Sequence, residues 1–290
     1  MVTLWKAWLL AARTKTLPAA IVPVWSGCLM AVTLGFEISY YLAILTLLGA
    51  IFIQIATNFF NDVIDAAKGA DTINRAGPTR ATSSGLLSPK AMYIGAGFML
   101  SLALACGVLL LNARGWPIIA IGAPSLYLSF GYTGGPVPLA YRGLGEIFVI
   151  LFFGFIAVMG TIFIQTGFWP WQGFVLGFQI GCLSAVLIAV NNYRDQEEDE
   201  IAEKRTLVVR WGRKPVAFLI FFMTALPSFL ILLFEGSQHW FITSFVLAVC
   251  FLLIESKLLK PDGVSSRLLG LSALHLILFV CAQHLFLALT

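Results

Sequence analysis

The stretch "NFFNDVIDAAKGAD", residues 58–71, overlaps the end of a charge-free run that occupies residues 38–61. A run of that length is long enough to cross a bilayer as one helix. Yet its end carries two asparagines, and three aspartates follow. Asn58, Asn61, Asp62 and Asp65 stand at i, i+3, i+4 and i+7, so a helix that continues through them presents all four on one face. A charged side chain costs about 2.5–3.5 kcal/mol at the centre of a bilayer and less towards its edge, so functional use is the default reading there.

The rest of the chain has the same character. Of its 290 residues 59% are hydrophobic and 11% charged, with a mean hydropathy of +0.92. A soluble domain of this size has no single core able to hide so much apolar surface. Charge-free stretches run 16–36, 38–61, 91–113, 115–141, 147–193, 215–234, 236–254 and 268–290. The longest is divided by "TGFWPWQG", residues 166–173, whose Gly, Pro and Trp suit an interfacial turn. The expected fold class is therefore all-α: a polytopic membrane bundle of nine helices in a single domain, 1–290. With nine spans, 17 of the 18 Lys and Arg residues fall on one side and only Arg114 on the other. The positive-inside rule then places the N-terminus in the cytoplasm and Thr290 outside, in a plasma (inner) membrane.

The net charge of +4 follows from these loop anchors and calls for no nucleic acid; no obligatory protein partner is evident either. The five cysteines lie in apolar runs without a CxxC pair and read as small core residues. Residues 1–16, with Trp5, Lys6, Trp8, Arg13 and Lys15, read as an interfacial amphipathic stretch without a signal-peptide cleavage site. The loop 255–267 reads as a solvated connector, and His239, His275 and His284 as packing or interfacial residues.

A second polar pattern, "NNYRDQEEDE", residues 191–200, ends the expected sixth helix. Asn191, Asp195 and Asp199 share one face, and a shift of 133 residues carries Asn58 onto Asn191 and Asp62 onto Asp195. This spacing suggests a parallel pseudo-repeat, helices 1–4 echoing 5–8 with a ninth added. Residues 62–71 and 195–203 together hold nine of the fourteen acids. Two facing acidic clusters repel unless a cation sits between them. A hard divalent ion such as Mg2+ suits carboxylates, water and phosphate oxygens, whereas the lack of nearby His or Cys argues against zinc. Lys68, Arg75 and Arg80 follow the first cluster, and Lys204 and Arg205 the second. Acids for metal beside bases for an anion imply a diphosphate. Glu197, Glu200 and Glu203 fit a solvated face instead.

The two motifs, "NDVIDAAKGAD" and "NNYRDQEEDEIAEKRTL", resemble those of the UbiA-type membrane prenyltransferases over nearly the whole chain. Three more stretches, "ARTKTLPAAIVPV" (12–24), "NRAGPTRATSSGLLSP" (74–89) and "YTGGPVPLAYRGLGE" (132–146), are similar to the branch acting on 1,4-dihydroxy-2-naphthoate in menaquinone synthesis. Glu203 departs from a glycine common in that branch, where it eases the loop's turn. The basic pair that 4-hydroxybenzoate-using relatives place after the tyrosine matching Tyr132 is missing, which argues against that acceptor.

The resemblance implies transfer of a prenyl group from an all-trans polyprenyl diphosphate to an aromatic ring, with loss of carboxylate from that ring. Asp62, Asp65, Asp195 and Asp199 would bind Mg2+, with Asp71 a further ligand. Lys68, Lys204 and Arg205 would meet the diphosphate, with Asn58, Asn61, Arg75, Arg80, Asn191 and Arg194 around it. The prenyl tail would remain in membrane lipid. Tyr132 is a candidate to stabilise the allylic cation, and Arg13, Lys15 and Arg142 are candidates for the acceptor's carboxylate. Glu146, opening a helix, either complements its dipole or accepts a ring-hydroxyl proton. Rival readings are a cation transporter, a CDP-alcohol phosphotransferase, and prenyl or phytyl transfer to 4-hydroxybenzoate or homogentisate.

Overall fold

The computed structural model describes residues 3–70, 79–234, 237–260, 263–264 and 267–289. Asp71, Arg75 and Thr290 lie outside them. The described chain is helical apart from a two-residue hairpin, β1 (Leu259–Lys260) and β2 (Gly263–Val264).

Helix α1 (Leu4–Ala11) exposes Leu4, Trp5 and Leu9, as an interfacial helix should. A 3-10 turn (Thr14–Thr16) then leads into α2 (Pro18–Thr33), and the chain bends by 51° between them. Arg13, the N-cap of the 3-10 turn, sits in the left-handed region, with φ at 50°. Pro18 suits the first position of α2, where no backbone donor is lost.

α3 (Tyr40–Ala67) starts where the Ser39 side chain accepts from the Leu42 amide and runs for 28 residues. At 1.5 Å per residue it is about 42 Å long, against a hydrocarbon core of about 30 Å. Its last turns therefore have room to stand clear of the hydrocarbon, and the acids are on them. α4 (Pro89–Arg114) is capped by Ser88 and halted by Gly115. α5 (Pro117–Gly131) ends before the Gly- and Pro-rich turn 132–138, and a 3-10 turn (Leu139–Arg142) follows.

Residues Gly145–Thr166 form one continuous helix. It comprises α6 (Gly145–Val149), a π-helical stretch (Ile150–Met159) and α7 (Gly160–Thr166). α8 (Trp171–Arg194) packs on the π stretch through glycines spaced four apart. A Cβ on Gly154 would stand 2.2 Å from the Gly177 carbonyl oxygen, and one on Gly181 2.9 Å from that of Ile150. Only bare backbone allows this approach. Short helices α9 (Gln196–Ile201) and α10 (Leu207–Trp211) lead to α11 (Arg213–Leu230), α12 (Gln238–Leu258) and α13 (Arg267–Leu289).

Seven described helices are long and apolar enough to span, and the bent pair Leu4–Thr16 with Pro18–Thr33 makes an eighth. The fourth expected span is α5, whose 15 residues reach only about 22 Å. The Gly- and Pro-rich turn ends it early, so nine full-length spans are not confirmed. Arg114 uses its far-side position structurally: its guanidinium donates to the carbonyls of Ile164 and Gln165 at 2.6 and 3.1 Å, closing the end of α7.

The loop 255–267 is corrected over its first four residues, which belong to α12. Glu255 lies within α12, buried, with Thr224 Oγ1 donating to it at 2.8 Å. His275 packs as expected, stacked on Phe251.

Candidate functional site

The acid ends of α3 and α8 meet, although 133 residues separate their matching positions. Lys204 Nζ stands 3.7 Å from Asp65 Oδ2 and 3.4 Å from Asp199 Oδ1. One ammonium thus bridges the two clusters and offsets the repulsion between their carboxylates. Tyr141 Oη donates to Asp65 Oδ1 at 2.8 Å, and its ring lies under Lys68 Nζ, 3.8 Å from the centroid. Asp199 is buried, and its Oδ2 has no hydrogen-bond partner among the described residues. Burial pushes the Asp199 carboxyl up to about 7 against the pull of Lys204, while Asp195 and Asp65 add to the rise.

The other two aspartates are engaged differently. Asp62 accepts from the backbone amides of Ala81 and Thr82, at 3.1 and 2.8 Å, and so anchors the segment after the first motif. Asp195 is held by Arg194 through Nε at 2.6 Å and a terminal nitrogen at 2.8 Å, a bidentate pairing that fixes the carboxylate plane. Asn191 Oδ1 accepts from Arg194 at 2.7 Å. The helix breaks at Asp195, but the Asp199 amide still donates to the Asp195 carbonyl at 2.8 Å, so the expected face survives the break. Among the described residues no three His, Cys, Asp or Glu side chains gather closely enough to hold a metal. Asp65 and Asp199 share Lys204, while Asp62 and Asp195 are held by backbone amides and by Arg194.

Beside this cluster lies a cavity of about 630 Å³. Arg13, Lys15, Asn58, Asn61, Arg80, Tyr132 and Asn191 line its polar end. Its apolar wall includes Leu104, Val108, Ile118, Phe152, Phe153 and Ile156, and it reaches Thr46 on α3. From Asn61 to Thr46 is about 22 Å along that helix. Asn58 holds the bent N-terminal segment in place, donating to the Ala12 carbonyl at 2.9 Å and to Thr16 Oγ1 at 3.1 Å. Asn61 accepts from Thr133 Oγ1, which ties α3 to the 132–142 loop.

A model described as the UbiA prenyltransferase family matches residues 20–280. The chain belongs to the UbiA prenyltransferase family. It is an aromatic prenyltransferase of the integral membrane class. Among its relatives is a 1,4-dihydroxy-2-naphthoate octaprenyltransferase of Mycobacterium tuberculosis, 36% identical over 83% of this chain and 82% of that protein. Another of the same description, from Bacillus subtilis, is 32% identical over 72% and 67%. A solved UbiA homolog from Archaeoglobus fulgidus, bound to GPP and Mg2+, shares the fold with a TM-score of 0.72. That structure is 15% identical and covers 97% of this chain and 99% of its own.

The prenyltransferase brings most of its sequence-predicted residues to one end of the bundle, with exceptions. Arg142 is exposed in its 3-10 turn and does not line the cavity. Lys68 is exposed, donating to the Thr133 carbonyl at 3.1 Å. Arg205 is exposed too, and its amide donates to the Tyr141 carbonyl at 3.2 Å. Glu146 is buried behind the cavity wall rather than on it: Oε1 accepts from Asn192 Nδ2 at 3.0 Å and Oε2 has no partner among the described residues. Tyr132 lines the cavity where Glu146 does not.

Tyr141, Asn192 and Thr133 were not singled out from sequence. The one available signal for Tyr141 was an aromatic hydroxyl in a loop on the same side as both acid clusters.

Glu203, the position where the resemblance leads one to expect glycine, adopts a left-handed conformation, φ 55°. For an L residue this costs roughly 1–2 kcal/mol, partly offset by the lower chain entropy of a non-glycine. Glu203→Gly is therefore expected to raise the apparent melting temperature in detergent by about 1–3 °C with activity unchanged. A fall in melting temperature would mean that the Glu203 side chain contributes more than its backbone costs.

Proposed function

We propose that the enzyme transfers a polyprenyl group from an all-trans polyprenyl diphosphate to 1,4-dihydroxy-2-naphthoate, releasing diphosphate and CO2 and yielding demethylmenaquinol. The observation that carries this reading is a cavity with a basic, amide-lined end beside the Asp65–Lys204–Asp199 cluster and an apolar remainder. Relatives carrying the naphthoate activity in their names support the choice of acceptor. In this reading the basic loops of the chain face the cytoplasm from a plasma (inner) membrane, which the distribution of Lys and Arg supports.

Asp62, Asp65, Asp195 and Asp199 are the groups that would hold Mg2+, with Asp71 joining them. The donor set fits: it is all oxygen, and Asp199 Oδ2 is buried without a partner among the described residues. A bound Mg2+ supplies neutralisation of the charge that builds on the departing diphosphate. Lys204, standing between Asp65 and Asp199, and Lys68 share that task as cations already in place. Arg80, Asn61 and Asn191 lie on the cavity wall, where amide and guanidinium donors would orient the remaining phosphate oxygens.

The bond from the allylic carbon to the diphosphate oxygen breaks, and its electron pair leaves on oxygen. An electron pair of the naphthoate ring forms the new carbon–carbon bond. The bond to the ring carboxylate then breaks, its electrons restore the aromatic ring, and CO2 leaves. Apolar walls, among them Phe152 and Phe153, keep water from the allylic cation. Arg13 and Lys15, on the polar wall, are the cations available to the acceptor's carboxylate. Glu146 acts through Asn192 and the packing around Tyr132 rather than by touching the ring.

The test uses purified protein in detergent with a prenyl diphosphate and dihydroxynaphthoate, 4-hydroxybenzoate or homogentisate, in Mg2+ or EDTA. The expected product is prenylated naphthoquinol, formed only with Mg2+ and accompanied by CO2. Efficient prenylation of another acceptor in preference to naphthoate would overturn the acceptor assignment.

A further inference from the structure

Tyr141 touches both halves of the cluster. Its hydroxyl donates to Asp65 at 2.8 Å, and its ring carries Lys68 Nζ at 3.8 Å, both from the first motif. The same ring has Lys204 Nζ 5.6 Å from its centroid, and its backbone carbonyl accepts from the Arg205 amide at 3.2 Å, both from the second motif's loop. The turn that presents it is fixed at each end. The Ala140 amide donates to the Tyr132 carbonyl at 2.8 Å. Gly143, with φ 66°, lies so close to the second loop that a Cβ there would stand 2.7 Å from the Arg205 carbonyl oxygen.

We propose that Tyr141 is the positioning residue that sets the two carboxylate clusters against each other for the diphosphate and its metal. It orients one oxygen of Asp65 by hydrogen bond, leaving the other towards Lys204. Its ring adds a cation–π contact to both flanking ammonium groups, Lys68 Nζ at 3.8 Å and Lys204 Nζ at 5.6 Å from the centroid, beside the carboxylates that Lys204 already bridges. Tyr141 lies off the cavity wall, so its effect falls on the diphosphate end and not on the aromatic acceptor. The inference rests on the proposed prenyl-diphosphate chemistry and adds a residue to it.

Tyr141→Phe removes only the hydroxyl, and Tyr141→Ala also removes the ring. Steady-state rates would be measured against Mg2+, geranyl diphosphate and dihydroxynaphthoate in turn, with thermal stability recorded alongside. A hydrogen bond to a charged group is worth about tenfold or more in such a series. Tyr141→Phe is therefore expected to raise the Mg2+ requirement and the KM for geranyl diphosphate about tenfold, leaving the acceptor KM and the melting temperature unchanged. Tyr141→Ala should lose several-fold more as the ammonium groups lose their shared ring. Wild-type constants in Tyr141→Phe, or a change confined to the acceptor KM, would overturn the proposal while leaving the enzyme reading intact. A wild-type protein that releases no diphosphate from geranyl diphosphate with any acceptor would overturn both.

Discussion

Asp65→Ala and Asp199→Ala are each expected to lower kcat at least about a hundredfold, the scale on which removal of a group opposing transition-state charge is felt. The two carboxylates share one lysine, at 3.7 and 3.4 Å, and are expected to act as one unit on the metal–diphosphate complex. Groups that act as a unit lose most of their effect on the first removal. The double variant should therefore be little slower than either single one. Two independent sites would instead multiply, to about ten-thousandfold. Asp199→Asn is the sharper form of the test, because it keeps the shape and removes the charge. Rates would be read as diphosphate release and as prenylated product. Near-wild-type turnover in either alanine variant would remove these residues from the metal site, and multiplicative losses would separate them into two sites.

The second large effect lies away from the chemistry. Gly154→Val is expected to destabilise the protein strongly, because even a Cβ would come within 2.2 Å of the Gly177 carbonyl oxygen. A neighbouring backbone has little freedom to move aside, so the helix pair must separate. Overpacking of ordinary cores costs about 1–3 kcal/mol, and a clash with backbone sits at the upper end. For a chain of this size the apparent melting temperature should fall by about 5–10 °C. Gly97→Ala is the control: a Cβ there meets nothing within 4 Å, and in a helix alanine is favoured over glycine by about 0.5–1 kcal/mol. Because α8 carries Asn191 to the cavity wall, and Asp195 directly follows it, loss of activity should accompany the loss of the seam. An unchanged melting temperature in Gly154→Val would mean that the two helices are not held at this separation.

Much of the site was legible before any coordinates because its determinants are local. Asn58, Asn61, Asp62 and Asp65 fall on one face by helical spacing alone, and α3 carries them there as expected. The second motif gave the same reading, although a break at Asp195 interrupts the helix. Glu203 announced itself as a departure from glycine and proved to have a positive φ. Arg142 and Glu146, both candidates from sequence, lie off the cavity wall. Arg142 ends a 3-10 turn and Glu146 stands in the first turn of α6, and sequence spacing does not reveal which side of the cavity wall such residues occupy.

Sequence by itself determined the membrane class, the order of apolar segments and the two acid-bearing helix ends. These are properties of hydropathy and period, readable within a window of a few turns. Only the tertiary structure decided how those ends are joined. Lys204 between Asp65 and Asp199, Tyr141 beneath Lys68, and Asp62 closing on the amides of Ala81 and Thr82 are long-range pairings. So is the burial of Glu255 against Thr224, in a segment that reads as a solvated loop. The physical reason is that a charged side chain at a membrane edge has several partners of equal chemistry within reach. Helix packing, set here by bare glycine backbone between α8 and the helix before it, selects among them.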